Sequence, residues 1–342
     1  MADITFSSSA NAWTLAKALR PFGRILESTE KGMVRQTRQK PSPGDTLYFT
    51  EEDSMGRYAG QGDMDYQPKE LPKPVFDDKL AFAEFAAKLR IPTPSSQELP
   101  GELEESQGKV LVKARHSWRD GKLLPRGWVC QGKDDFAKAL AEIGKNGHQA
   151  DHYMLQEWLE IAPGDNFSVC GYHDAQEPRR NLAATVQRIA SRNDGQSCSA
   201  VVAVVEDPAG LAGHTKNLLD GLGFTGPYEL EFVRTVDGFK ALELNPRFWL
   251  QHGLFLETGN GVVKRYLGLD SPGDWKPDAL EKGAWVDSVW FWYNLVKGRM
   301  GIFRKLREAR EAGHAPAKFF PNHWTAVRHL AGNLLSGRQP GE

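Results

Sequence analysis

Cysteine is scarce in this chain. There are three in 342 residues, Cys130, Cys170 and Cys198. An odd, scattered set without metal-ligand spacing is no disulfide framework, so a reducing, cytoplasmic setting is expected. Long apolar runs are missing too. None reaches the roughly 18 residues of a spanning helix, and the richest aromatic stretch, Trp285 to Val296, is short and carries Asp287. No stable membrane insertion is expected. Neither sign of charge dominates: 43 Lys and Arg stand against 44 Asp and Glu, a formal net of −1. That excludes a protein-wide field for nucleic acid. The opening residues, MADITFSSSANAWTL, hold no basic segment leading into an apolar stretch, so no secretory leader is expected there. The turn after the first strand-like run, SSSAN, lacks the glycines of a dinucleotide fingerprint and reads as a capped helix start. No Ser-His-Asp or Cys-His arrangement suggests a protein nucleophile.

What is present is ordinary globular material: 40% hydrophobic and 25% charged residues, enough for a sizeable core. The length suits two or three lobes. Residues 3–6 read as a strand followed by a helix through Trp13 to Leu19, and residues 51–74, rich in Gly and Pro, as loop and linker. DDKLAFAEFAAKLR, 77–90, has Leu80, Phe82, Ala83, Phe85, Ala86 and Leu89 at helical spacing, with Asp77 and Asp78 where a helix dipole favours acids. Strands are expected at 110–115, 153–159, 167–172, 182–190, 200–205, 228–235 and 239–245. Helices are expected near 134–145, 208–222 and 258–267. The chain from about 271 reads as a helical tail. Its last part, 299–342, holds eight Lys or Arg against three acids, a solvated face or a docking surface for a partner.

The most informative stretch is YELEFVRTVDGFKALELNPRF. Its two strand-like runs meet at Val236-Asp237-Gly238. A two-residue loop would put Glu231 opposite Leu244. A three-residue loop ending on Gly238 in the left-handed conformation puts Glu231 opposite Glu243, and this register is preferred. Glu231, Glu243 and Asn245 then share one face, with opposed Cβ atoms roughly 4.5–5.5 Å apart. Two carboxylates that close resist joint ionisation, and a divalent cation removes the cost. Magnesium takes such oxygen ligands together with substrate phosphates. Glu229, two residues before Glu231, is a further ligand or an outer support.

These residues resemble the ATP-grasp superfamily, in which a Glu precedes a Glu-x-Asn-Pro-Arg segment. Here Glu231 is followed twelve positions later by Glu243-Leu244-Asn245-Pro246-Arg247, then Phe248-Trp249, similar to the carbamoyl-phosphate-synthase-large-chain-like branch of carboxylate–amine ligases. The resemblance covers roughly residues 75–270. It implies an α/β fold with a short N-terminal α/β pre-grasp lobe (1–75), a nucleotide-binding lobe (76–160), a metal and catalytic lobe (161–270) and a helical C-terminal extension (271–342). It further implies ATP and Mg2+ as cofactors. Lys79 and Lys113 would reach the phosphates. Gln156, Glu157, Trp158 and Leu159 would lie at the adenine, and Asp165 near the ribose or phosphates. Glu231, Glu243 and Asn245 would ligate magnesium, and Arg247 would lie by the transferred phosphate or acceptor carboxylate. Arg188 would either touch phosphate or substrate or pair at the surface. ARHSWRDGKLLPRGW departs from the family's Gly-rich loop. It is either a cover for the phosphates or a plain hairpin turning at Asp120-Gly121.

The expected reaction transfers the γ-phosphate to a substrate carboxylate, and an amine then attacks the acyl phosphate. The partners are small-molecule carboxylate and amine substrates, with a peptide or protein acceptor open. The alternatives are phosphorylation or carboxylation of a small molecule, and a nucleotide-binding regulatory subunit. Substrate identity and oligomeric state are not encoded in these motifs.

Overall fold

The computed structural model describes residues 2–7, 23–28, 46–48, 74–103, 108–119, 122–125, 127–191, 199–249, 251–252, 254–255, 261–270, 283–296, 298, 301, 303–304 and 306–307. Expectations for the helix at 13–19, most of the 51–74 linker and most of the basic tail lie outside them. The chain divides into two compact units. The first comprises Met1–Leu71, Ala162–Glu229 and Asn245–Glu342, and the second Pro72–Ile161 and Leu230–Leu244. The first unit opens with strands β1 (Ala2–Ser7), β2 (Gly23–Ser28) and β3 (Thr46–Tyr48), which form a parallel sheet in the order β2-β1-β3.

The second unit begins with two helices, α1 (Pro74–Asp77) and α2 (Lys79–Lys88), where the periodicity predicts one. Asp78 breaks the run. Its backbone is extended (φ −100°, ψ 112°) and its carboxylate accepts from Leu80 N at 2.9 Å, capping α2. The helix ends at Leu89. Arg90 adopts φ 58°, and Ile91 N donates to Ala86 O, satisfying a terminal carbonyl. Strands β4 (Ser96–Glu98), β5 (Lys109–Ala114), β6 (Trp118–Arg119), β7 (Lys122–Leu123), β8 (Gly127–Gln131) and β9 (Tyr153–Glu157) follow, with α3 (Lys133–Lys145) between the last two. The sheet order is β4-β9-β5-β8, all antiparallel. Alternation sends Val110, Val112, Ala114, Tyr153 and Leu155 to one face, where Phe136, Ala139 and Ile143 of α3 cover them. Each fully buried Val, Leu, Ile or Phe side chain among them contributes about 1.5–3 kcal/mol. Leu111, Lys113, Met154 and Gln156 take the other face. At the 116–121 segment β6 pairs with β7, Trp118 opposite Leu123 and Arg119 opposite Lys122, and the expected turn at Asp120-Gly121 lies outside the described residues.

The remaining elements are β10 (Asn166–His173), β11 (Leu182–Ser191), β12 (Ser199–Val204), α4 (Leu211–Leu222), β13 (Gly226–Thr235), β14 (Gly238–Asn245), α5 (Val262–Tyr266), β15 (Ala284–Val286) and α6 (Ser288–Val296). The hydrogen-bonded order is β14-β13-β10-β11-β12-β15, and the division between units falls after Glu229 in β13 and after Leu244 in β14. Where sequence reading expects only helix beyond 271, β15 pairs antiparallel with β12. Three apolar residues, Ala284, Trp285 and Val286, are too few to show a period. Helix α4 starts at Leu211, later than the expected 208. Asp207 accepts from Leu211 N (2.7 Å) and Ala212 N (3.0 Å), so the cap lies outside the helix proper. The first unit's core gathers Tyr172, Val186 and Val202 with Phe248, Trp249, Phe255 and Tyr266.

Candidate active site

In the second unit the site is built from α2, β5, β9 and the β13–β14 hairpin. The placement of Lys79 follows from its neighbours. Lys79 N donates to Arg115 O at 3.0 Å, and the Arg115 guanidinium holds the Asp78 carboxylate through two nitrogens. The start of α2 is thereby fixed to the end of β5, which carries Lys113. Lys79 Nζ lies 3.3 Å from Glu243 Oε2. Lys113 lies among Glu243, Lys79 and Glu231. Desolvation pulls its pKa below the ordinary 10.5; Glu243 and Glu231 oppose the fall and Lys79 adds to it. Both carboxylates thus favour the charged form of one ammonium, as acids on the same side of the hairpin would.

The hairpin itself agrees with the preferred register. Asn245 Nδ2 donates to Glu229 Oε2 at 3.3 Å, the cross-strand pair two steps along from Glu231 and Glu243. At the turn, β13 stops at Thr235 and β14 resumes at Gly238, one residue earlier than expected. Gly238 takes φ 114°, and Thr235 Oγ1 donates to its carbonyl at 2.9 Å. A positive φ of this kind is one that glycine adopts without a side-chain penalty.

At the end of β9, Gln156 Oε1 accepts from Lys113 Nζ at 3.5 Å and its Nε2 donates to Ser96 Oγ at 3.0 Å. Glu157 Oε2 accepts from Ser95 N at 2.8 Å, and Glu157 ion-pairs with Lys240 of β14. Burial pushes the Glu157 carboxyl up, but the bonds from Lys240 and Ser95 outweigh it and hold it below the usual range. Trp158 and Leu159 lie just past the strand; the Trp158 indole donates to Glu160 at 2.7 Å and stacks under the Lys109 ammonium, 4.4 Å from the ring centre. Ala241 N donates to Pro92 O at 2.7 Å. Together with Lys79–Glu243 and Lys240–Glu157, this ties the hairpin to the rest of its unit at three points.

The first unit holds Asp165, Arg188, Asn245 and Arg247. Asp165 closes its own turn: its N donates to Ala162 O (3.0 Å) and its carboxylate accepts from Ala162 N (3.2 Å). Arg188 sits on β11 opposite Val202, next to a register shift. Asn245 Oδ1 accepts from Arg247 at 3.2 Å, and Glu229 Oε1 accepts from Gln251 Nε2 at 2.9 Å. Phe248 and Trp249, beside Arg247, are buried against Tyr266 (ring centres 5.1 Å) and Phe255 (4.9 Å), so the aromatic pair anchors the segment.

As a donor set, Glu231, Glu243 and the Asn245 amide oxygen are hard oxygen ligands of the kind magnesium takes. Among the described residues no group of three or more His, Cys, Asp or Glu gathers. Magnesium held by one or two carboxylates commonly keeps its other positions for water and phosphate. Sequence reading missed Arg115, Lys240 and Gln251. Each acts through a partner far along the chain, which no local period reveals.

No protein-family model matches the sequence, and no curated protein does. Solved structures match in shape. Carboxyaminoimidazole ribonucleotide synthase from Aspergillus clavatus, complexed with ATP, gives a TM-score of 0.61 at 12% identity, covering 84% of this chain and 82% of its own. N5-carboxyaminoimidazole synthetase from Staphylococcus aureus gives 0.62 at 10% identity, over 88% and 86%. Pyruvate carboxylase from Rhizobium etli gives 0.61 at 14% identity over 83% of this chain, which spans 30% of that larger protein. The chain has the ATP-grasp fold.

Proposed function

We propose that the chain is an ATP- and magnesium-dependent ligase that converts a substrate carboxylate to an acyl phosphate and joins it to an amine, with an amino acid or peptide as the substrate class. The observation that carries this reading is the desolvated Lys113 ammonium set among Lys79, Glu231 and Glu243. Phosphoryl transfer needs spread negative charge to be positioned and neutralised more than it needs covalent chemistry. Lys113 and Lys79 would bind the phosphates. Lys79 would exchange its ion pair with Glu243 for phosphate oxygens, which frees that carboxylate for the cation. Glu231, Glu243 and Asn245 would hold magnesium, which when bound supplies charge neutralisation at the phosphates. Glu157, Trp158 and Leu159 would border the base. Arg247 would orient the carboxylate that attacks the γ-phosphorus. ADP leaves, the amine nitrogen then attacks the acyl carbon, phosphate leaves, and the nitrogen loses a proton.

The shape likeness to a pyruvate carboxylase and to carboxyaminoimidazole synthetases favours one second reading, in which the acid is bicarbonate. The test is phosphate release from ATP across amino acids, short peptides and bicarbonate, with mass spectrometry of the product. Substrate-dependent ADP and phosphate support the proposal. AMP and pyrophosphate overturn it. A product heavier by one carboxyl group, formed only with bicarbonate, selects the second reading.

A further inference from the structure

Glu229 is still open between a further ligand and an outer support, and Gln251 has no role yet. Both are buried, at 7% and 3% exposure, and a buried carboxylate needs a reason to be there. Glu229 holds two amides, one on each oxygen: Gln251 Nε2 at 2.9 Å on Oε1 and Asn245 Nδ2 at 3.3 Å on Oε2. The Cys170 thiol lies 4.0 Å from Oε1. Both carboxylate oxygens thus accept from amide nitrogens. Each amide presents its nitrogen to the carboxyl group, and the opposite orientation would set oxygen against oxygen. The other end of the Asn245 amide is thereby fixed as oxygen, and a cation already lies on it: Arg247 Nη2, at 3.2 Å.

We infer that Glu229 is a positioning residue that locks the Asn245 amide with Oδ1 turned toward positive charge, and that Gln251 holds Glu229 in place for this. Glu229 is then no metal ligand; it determines which atom Asn245 offers. The inference rests on the proposed magnesium-dependent nucleotide site, and it predicts a particular epistasis. Glu229→Gln keeps the shape but supplies both donor and acceptor, so the Asn245 amide can turn over and offer nitrogen. Asn245→Asp offers oxygen in either orientation and makes the lock unnecessary. With Glu229 retained, that variant also sets two carboxylates together, which Glu229→Gln relieves.

The experiment measures Mn2+ binding by electron paramagnetic resonance in the presence of a non-hydrolysable ATP analogue, with thermal unfolding of each variant as the folding control. In the wild-type background Glu229→Gln weakens Mn2+ binding by roughly 10-fold or more, the usual loss when a ligand's support is removed. In the Asn245→Asp background the same change leaves binding equal or tighter. An equal loss in both backgrounds, or none in the wild type, overturns the inference. If Glu229→Gln fails to fold, Gln251→Met carries the same comparison, with a smaller loss expected in the wild type and none in Asn245→Asp. Failure of the wild-type chain to bind Mn2+ with nucleotide would refute the proposed function; wild-type binding with background-independent losses would refute this inference alone.

Discussion

Replacing Asp78 separates two functions that one side chain performs. Its carboxylate caps α2 through Leu80 N and also takes the Arg115 guanidinium. Asp78→Ala removes both. A lost cap costs about 1 kcal/mol and a lost charge-assisted pair about 1.5–3 kcal/mol, so the variant should be destabilised by about 2.5–4 kcal/mol in total. Asp78→Asn keeps a competent cap and loses only the charge, which leaves a deficit of about 1.5–3 kcal/mol. Urea unfolding of the two variants, of Arg115→Ala and of the double variants gives the coupling directly. The pH dependence is a second signature. Burial raises the Asp78 carboxyl, but Arg115 and the Leu80 N–H outweigh it and hold it below 3.8. A depressed folded-state pKa means stability that is present above the unfolded value and is lost as pH falls through the folded one. Wild type should lose this increment below about pH 4, and Asp78→Asn should lack that part of the acid limb. Asp78→Ala within about 1 kcal/mol of wild type, or no coupling to Arg115, would refute the reasoning.

Other outcomes are expected. Glu243→Ala should lower magnesium-dependent turnover at least about 100-fold while its melting temperature stays close to wild type, and unchanged turnover would remove the hairpin from the mechanism. Lys113→Met should weaken ATP binding by about 10-fold or more, measured by calorimetry, through loss of a desolvated phosphate contact. Lys240→Met should cost roughly 1 kcal/mol in urea unfolding, because its pair with Glu157 is only partly shielded from water. Gly171→Ala should be among the most damaging single changes: an added Cβ would lie 1.8 Å from Leu182 O, so the β10–β11 ladder must shift, at a cost of about 2 kcal/mol or more. A soluble Gly171→Ala variant of wild-type stability would contradict that packing.

Much of the fold was legible because its strands and long helices are strongly patterned. The 110–114 strand alternates into the α3 core, and the ends of β13 and β14 follow from Val236-Asp237-Gly238 and the two acids. Lys79, Lys113, Glu231 and Glu243 were legible as a set because the motif order encodes them, and the second unit brings all four together. Three features escaped for physical reasons. The break at Asp78 is set by Arg115, 37 positions away, and overrides a periodic apolar stripe. Strands β4 and β15 have three residues each, too short to show a period. Asp165, expected near the ribose or phosphates, closes its own turn with its carboxylate, which only backbone geometry reveals.

Strand β15 has a consequence for how this chain is made. Until residues 284–286 emerge from the ribosome, β12 offers the open hydrogen-bonding edge of a nearly complete sheet, lined by the buried Val201, Val202 and Ala203. Such an edge is a template for another chain, and the wait spans the whole interval from 204 to 284, in which the acidic hairpin itself is synthesised. The last strand of the sheet is thus its seal against self-association. A chain ending before Ala284 should carry every residue named in the site and still be recovered as oligomer or precipitate.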